Sequence, residues 1–557
     1  MKLVECVPNF SEGRDAAVID AITDTIRACE GVELLDVDPG ADTNRTVVTM
    51  LGAPEAVSEA AFQVIAKAAE LIDMAKHKGA HGRMGATDVC PFVPVRDISM
   101  EECADLARAL GKRVGEELGI PVYLYEEAAS RPERQNLANV RKGEYEGLAE
   151  KIKDPEWKPD FGPAEFVARS GATSIGAREF LIAYNFNLNT RDRRIAQDIA
   201  LEIREAGRAK RDEKGEIIRD ENGKAIKKPG LFKKVKAVGW VMEDFNCAQI
   251  SMNLTNYKET PLAEVFDAVC RLAVERGVRC TGSELVGLLP KNCLLAAGRH
   301  YLRKAGKSAG TPEKELLRIA IQSLGLSELY PFEVDKKIVE YRISDPRPLV
   351  GMTVGDFVDE TSSESPAPGG GSVAALAGAL SGALSSMVAW LTVGKKGYEN
   401  AFEAMKELAE KAQALKDNFL RAIDDDTAAF NGMMNAMRMP KKTDEQKAAR
   451  EEAMQQATRE AIAVPMRVLT ACPEAINLAE SATAGNENSL SDAAVAASCA
   501  VTAAEGAYYN ILINLAGVSD DAYKKQTQDK AEALLDEVKK RASALGQSVT
   551  QRLKDAI

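Results

Sequence analysis

The sequence predicts a multidomain chain: two tandem α/β subdomains of split βαβ type, followed by an all-α helical-bundle domain. Three observations predict it. Strand and helix patterns alternate through the first half. The order of elements recurs, once over Lys2–Tyr125 and again over Phe180–Leu289. Beyond Glu364 no strand pattern remains.

In the first subdomain, Lys2–Asn9 reads as a strand, and Asp15–Cys29 sets Val18, Ile22, Ile26 and Cys29 on one helical face. Val32–Asp38 and Thr46–Leu51 read as strands. Glu55–Met74 is helical through Val57, Ala61, Val64, Ala68 and Leu71. Asp88–Val95 is a strand, Ser99–Leu118 a helix and Pro121–Tyr125 a strand. This βαββαβαβ order gives a ferredoxin-like α+β sandwich with helices on one sheet face. After a loop-rich stretch from Ala128 to Gly171 the pattern restarts. Phe180–Leu188, Val235–Met242, Ala248–Leu254 and Glu284–Leu289 read as strands, and Arg191–Arg204 and Leu262–Val274 as helices. The insert Gly215–Lys228 reads as a surface hairpin around Asn222-Gly223. Two similar layers in tandem leave a crevice for a ligand.

From Pro331 to Glu364 the chain is mixed and punctuated by proline. Five helical runs follow, at Ser372–Val393, Tyr398–Met437, Asp444–Leu478, Leu490–Leu515 and Asp520–Ala556. Long helices on short turns form an up-and-down bundle. Pro465 and Pro473 are expected to kink or divide the third. The expected divisions are 1–178, 179–327, a linker over 328–360, and 361–557.

A net charge of −12 over 557 residues argues against nucleic-acid binding, which needs a basic face. Ten cysteines without C-x-x-C or zinc spacing, and no signal peptide, point to buried thiols in a cytoplasmic protein. Ser365–Gly394 carries no charge and is long enough to cross a bilayer. Its stripe of Leu376, Leu380, Leu384, Met387 and Leu391, with Gly378 and Gly382 as G-x-x-x-G, instead suits a central bundle helix packed by protein on all sides.

Four features could carry chemistry. Of the three histidines, His300 ends a helical stretch beside Arg299, which suits a surface role. His77 and His81 share a glycine-rich loop before the strand at Asp88. Gly79 and Gly82 break the helix that an i, i+4 zinc pair would need, so the loop reads as a rim presenting one imidazole. Lys227, Lys228, Lys233, Lys234 and Lys236 concentrate positive charge suited to a carboxylate, or form a solvated run. Pro366–Ser372 opens a helix with three glycines, which serves an anion or polar-ligand site or a plain N-cap with a hinge. The stripe Leu415, Phe419, Ile423, Phe430, Met433 and Met437 contains Asp426, while Asp424 and Asp425 point elsewhere. A carboxyl on an apolar face has its pKa raised by desolvation, unless it is an exposed edge residue or part of a buried ion pair.

At these residues the chain resembles the bifunctional formimidoyltransferase-cyclodeaminase family. The matching stretches include Leu3–Gly13, Leu34–Asp38, Thr43–Thr46, His77–Phe92, Asp160–Pro163, Ala367–Ala374 and Ile511–Asn514. The resemblance implies two reactions of histidine and glutamate one-carbon metabolism. A formimino group passes from N-formimino-L-glutamate to N5 of tetrahydrofolate, and the adduct then cyclises to 5,10-methenyltetrahydrofolate with loss of ammonia. It implies that His81 is the transferase base, with Asp38 as a candidate to orient it, and that Asp426 is the deaminase acid. Folate contacts carry over to Gly162, Pro163, Phe166, Val167 and Gly171, and to Gly230, Lys233, Lys234 and Gly239. Arg169 and Phe232 depart from the family pattern. Gly369, Gly370, Gly371 and Ser372 would help hold folate in the helical module. Tetrahydrofolate, with a polyglutamate tail held by the lysines, is the only cofactor expected, without metal; no nucleic acid or membrane partner is expected. The family's homo-oligomers imply an oligomer here. Three rivals stand beside this reading: a glutamate formyltransferase with a cyclohydrolase-like helical domain, a non-catalytic folate-binding scaffold, and a membrane-anchored helical protein that would require detergent for extraction.

Overall fold

The computed structural model describes residues 2–41, 43–79, 81–221, 223–242, 245–342 and 349–557. The chain forms two compact units, Met1–Cys293 with Leu324–Ile343, and Leu294–Ser323 with Ser344–Ile557.

Among the described residues the first unit contains two large sheets and one two-stranded sheet. The seven-stranded one is built from β1 (Leu3–Cys6), β2 (Asn9–Phe10), β3 (Val32–Gly40), β4 (Arg45–Gly52), β5 (Thr87–Arg96), β6 (Val122–Glu126) and β7 (Thr173–Ala177). β1 and β2 act as one interrupted strand between β4 and β5, β3 flanks β4, and β7 runs parallel to both β5 and β6. Helices α1 (Ala16–Arg27), α2 (Pro54–Leu71) and α3 (Met100–Glu117) bury one sheet face through Ile22, Val64, Val114 and their neighbours. Asp15 caps α1 by accepting the N–H groups of Ala17 and Val18, and Ser99 with Glu102 closes a capping box on α3. The stretch from Ala128 to Gly171 holds the short helices α4 (Leu137–Val140) and α5 (Glu144–Lys151).

β7 escapes the sequence reading for a physical reason. Its five residues are all buried, so Thr-Ser-Ile-Gly-Ala shows no alternation of apolar and polar positions.

The second sheet is antiparallel. It combines β8 (Ile182–Leu188), β11 (Val235–Met242), β12 (Cys247–Leu254) and β13 (Cys280–Val286) in the order β11-β12-β8-β13. Helices α6 (Arg193–Ile203) and α7 (Leu262–Glu275) lie with this sheet and bury Ile199, Ile203, Val265 and Val269. β13 starts before the expected Glu284, because an irregularity between Cys280 and Gly282 hides its alternation.

Within the insert, β9 (Arg208–Ala209) pairs with β10 (Lys227–Lys228). Between them are two tight turns rather than one hairpin, written by an eight-residue repeat, Arg211–Ile218 and Arg219–Ile226. In each copy the arginine donates to the glycine carbonyl four residues on, and the aspartate accepts backbone N–H groups across the turn. Asn222, expected at the hairpin tip, lies outside the described residues.

Four helices follow: α8 (Lys291–Lys304), α9 (Glu313–Ser323), α10 (Val334–Lys337) and α11 (Val339–Arg342). His300 stands on α8 with its ring edge-on to Tyr301.

The second unit is helical, with α12 (Val354–Thr361), α13 (Gly370–Thr392), α14 (Phe402–Arg438), α15 (Asp444–Ala482), α16 (Leu490–Leu515) and α17 (Asp521–Asp555). α15 is not divided at Pro465 or Pro473. Each proline removes one N–H bond, but Pro465, Val468, Leu469 and Cys472 are buried in the bundle core, and that packing holds the helix.

α13 corrects the expectation of a helix enclosed on all sides. Its small residues face inward: a Cβ on Gly378 would lie 2.6 Å from the Phe419 ring, and one on Gly382 would lie 3.0 Å from the Ala412 carbonyl. Some large residues are turned out, with Leu380 48% and Leu391 50% exposed, while Val388 is buried and Leu376 and Leu384 pack on the core. Close approach of α14 favours small residues on the inner face, where glycine, alanine and serine predominate.

Candidate active sites

The two sheets of the first unit turn their helix-free faces toward a cavity of about 680 Å³. The strand period of two sends Glu5, Asn9, Asp36 and Asp38 from one sheet, and Asn185, Trp240, Ser251 and Asn253 from the other, into this space. His81, Arg45, Arg141, Arg178, Lys234 and Lys236 also line it, together with Glu126, Glu127 and Glu179.

The histidine loop is held by Asn44. Its side chain accepts the Gly13 N–H at 3.0 Å and donates to the Lys78 carbonyl at 3.1 Å, while its own carbonyl accepts from His77 Nε2 at 2.8 Å. His77 Nδ1 takes the Arg83 Nε–H at 3.1 Å, so both its ring nitrogens are engaged in structure. Gly79 passes so close to Thr43 that a Cβ would lie 2.1 Å from that carbonyl.

His81 is arranged differently. Its Nδ1 meets the Gly82 carbonyl at 2.6 Å. A carbonyl only accepts, so Nδ1 carries the proton and Nε2 keeps its lone pair. Although His81 keeps an exposed surface, the surrounding cavity wall and then the guanidiniums of Arg45 and Arg141 hold the imidazole below its ordinary pKa. It is therefore neutral near pH 7 and can act as a base.

Asp38 lines the same cavity, and its carboxyl is raised by burial and by Asp36, against Lys337. No hydrogen bond joins it to His81 among the described residues. The orienting partner expected in Asp38 is instead the Gly82 carbonyl.

Beside His81 stands a cluster the sequence reading missed. Asp88 is fully buried and receives Arg45 Nη1 and Arg141 Nη2, each at 2.6 Å, on one oxygen, while Met84 N–H donates to the other. Burial opposes its charge, but the two guanidiniums bring its pKa below the usual carboxylate value. The available signal was a lone aspartate opening an apolar strand. Glu5 was also missed. Buried on β1, its carboxyl is raised by burial to about 7, with Arg178 opposing and Glu340 adding. Burial likewise raises Glu126, against Lys236 and Arg178.

The cavity thus brings together His81, Asp38 and Lys234 from the expected set. The others lie elsewhere. Gly162 and Gly171 have positive φ, and their α-carbons pass the Ile120 and Met84 carbonyls too closely for a Cβ. Pro163, Phe166 and Val167 lie on the loop between them, with Phe166 against the Tyr145 ring at 5.4 Å. Gly239 faces α6, where a Cβ would lie 2.1 Å from Gln197 N, and Gly230 abuts the end of the same helix. Lys233 is exposed outside the cavity wall, and its carbonyl accepts from Thr260.

In the helical unit two separately read features meet. Asp426 sits half-buried on α14, and its carboxylate lies against the first turn of α13. A Cβ on Gly371 would lie 2.2 Å from Oδ1 and 2.5 Å from Oδ2. Ser372 donates through its hydroxyl at 2.8 Å to the Ile423 carbonyl and at 3.3 Å to Asp426 Oδ2. Burial raises the carboxyl, and the side-chain and backbone donors of Ser372 moderate the shift. Gly370, exposed at the helix start, leaves the site open. Asp424 accepts the N–H groups of Leu349 and Val350, and Asp425 pairs with Arg467 at 2.8 Å. Both point away, as the periodicity requires. Among the described residues no group of three or more His, Cys, Asp and Glu side chains could hold a metal ion.

A neutral imidazole in a cavity lined by both acids and cations, and a raised carboxyl on the helical unit, are two groups with the proton affinities that acid–base enzymes use. Family models agree with this division. Residues 3–178 match the formiminotransferase domain, N-terminal subdomain, residues 183–344 the formiminotransferase domain, and residues 353–533 the model described as formiminotransferase-cyclodeaminase. The formimidoyltransferase-cyclodeaminase of Mus musculus is 44% identical over 99% of both chains. A glutamate formimidoyltransferase of Thermoplasma acidophilum is 47% identical over 56% of this chain and 95% of its own length. A methenyltetrahydrofolate cyclohydrolase of Methylorubrum extorquens is 38% identical over 37% of this chain and 97% of its own length. The chain belongs to the formimidoyltransferase-cyclodeaminase family.

Proposed function

We infer that the chain transfers the formimino group of N-formimino-L-glutamate to tetrahydrofolate, and cyclodeaminates 5-formiminotetrahydrofolate to 5,10-methenyltetrahydrofolate and ammonia. The single observation that carries the site assignment is the contrast between His81, with a free Nε2 lone pair, and Asp426, a raised carboxyl at a helix start. In the transfer, His81 Nε2 takes the proton as N5 attacks the amidine carbon, and returns it to the glutamate nitrogen as that bond breaks. The acids of the cavity wall favour the amidinium, and its cations favour the carboxylates of both substrates. In the second reaction N10 attacks the same carbon and its proton passes to the imine nitrogen. Protonated Asp426 then donates to the resulting amino group, which leaves as ammonia while the N5–carbon–N10 methenyl cation forms.

Lys234 and Lys236 suit a polyglutamate tail of folate. The outward apolar stripe of α13 suits a homo-oligomer. Ten free cysteines fit a cytoplasmic enzyme, and the reaction pair would serve histidine breakdown.

The cyclohydrolase relative of the helical module keeps a second reading in view, with a formyl donor and hydrolytic chemistry. Purified chain with tetrahydrofolate and the formimino donor should release ammonia and methenyl product in equal amounts, and the formyl donor should yield neither. His81→Ala should lower transfer by about 10²–10⁴-fold while leaving deamination of supplied 5-formiminotetrahydrofolate intact, and Asp426→Ala should do the reverse. Loss of both activities from either change would sink the two-site assignment.

A further inference from the structure

The cluster beside His81 holds more positive charge than its one carboxylate neutralises. Asp88 is the only acid bonded to Arg45 and Arg141 among the described residues, and it takes both on a single oxygen. Arg45 is fully committed in direction, with Nη1 on Asp88 and Nη2 on Asn9 Oδ1 at 2.8 Å. Arg141 is not. It reaches Asp88 through Nη2 alone, and its Nε is buried without a hydrogen-bond partner among the described residues. Asp88 joins the two guanidiniums but offsets only one of their two charges, so the pair still favours a second anion.

Position narrows the anion. The Arg141 stem packs at Gly82, where a Cβ would lie 3.6 Å from Arg141 Cδ, and the Gly82 carbonyl is the group that orients His81. A carboxylate held by Arg141 therefore lies next to the transferring imidazole. Both substrates carry glutamyl carboxylates. In the formimino donor the α-carboxylate is only a few bonds from the reacting carbon, whereas in folate an aminobenzoyl group separates the glutamate from N5.

Resting on the transferase reading above, we propose that Arg141, fixed by Asp88 and backed by Arg45, is the anchor for the α-carboxylate of the formimino donor. The guanidinium fork donates to both oxygens of a planar carboxylate, which fixes the amidine against His81 Nε2. The folate tail is left to Lys234 and Lys236, which also line the cavity.

The test is Arg141→Gln in the full chain, with Arg141→Lys beside it. Steady-state transfer should show the donor KM raised at least tenfold and the tetrahydrofolate KM unchanged within twofold, with Lys recovering part of the loss. Wild type should prefer N-formiminoglutamate over its α-amide, and Arg141→Gln should use both equally. Unchanged deamination of supplied 5-formiminotetrahydrofolate reports an intact chain. A raised tetrahydrofolate KM with the donor unaffected would assign the clamp to the folate tail and overturn the proposal, as would a preserved preference over the α-amide. Calorimetric titration with L-glutamate separates this from the transferase reading. Binding weakened tenfold in Arg141→Gln supports the anchor even if no transfer is seen, and unweakened binding refutes it.

Discussion

Glu5 shows how a single residue can link the cavity to stability. It lies on the cavity side of β1, and its neighbour Val4 faces the helix-covered core. Its carboxyl titrates at about 7 in the fold against an ordinary 4.5. The folded state therefore holds the proton more tightly. The stabilisation is complete below pH about 4.5 and is lost as pH rises through about 7, a span worth on the order of 3 kcal/mol. Glu5→Gln keeps the shape and removes the titration. Urea unfolding of the first unit, followed by tryptophan fluorescence between pH 5 and 8, should lose that slope in the variant. Equal slopes in both proteins would refute the assignment. Neither Glu5 nor Asp88 was legible in the sequence, because their significance lies in partners brought from distant strands. Asp426 was legible, since a helix repeats its face within a few residues and a misplaced carboxyl stands out.

At the scale of elements, the proposed deaminase site is the meeting of one helix start with one helix face. Gly371 is the contact point, because the Asp426 carboxylate occupies the space a side chain would take. Gly371→Ala should push the carboxylate off the first turn of α13 and lower deamination at least a hundredfold, with transfer unchanged. Ammonia release from supplied 5-formiminotetrahydrofolate measures it. Retained deamination would mean the helix start can shift without cost. The glycine run was visible in the sequence, but its reason was not. Read alone, it served equally as an anion site, a cap or a hinge, and only the approach of α14 distinguishes these. Elements with clean periodicity, such as α1, α3 and β12, were legible almost to their ends. β7 was not, since burial on both faces erases alternation, and the folate-motif glycines were legible as motifs but not as packing positions.

At the scale of the molecule, the two-part architecture follows from the switch between alternating patterns and unbroken helical ones. What periodicity could not assign was the side of α13 that faces outward. Apolar content alone makes the helix long and apolar enough to cross a membrane, yet its inner face is shaped by glycine and serine against α14 and α16. The outer residues Val373, Leu380, Met387 and Leu391 are all exposed and spaced by seven, seven and four, the spacing of a helix-pairing seam. Each large side chain covered by a partner contributes about 1.5–3 kcal/mol, enough for four on each copy to favour an isologous contact. Leu380→Glu with Leu391→Lys alters only exposed positions, so the bundle should remain helical by circular dichroism. Light scattering should show wild type at a multiple of 60.1 kDa, and the double variant at a smaller multiple. A wild-type mass of one chain would refute the seam, and a requirement for detergent during extraction would point to lipid as its cover.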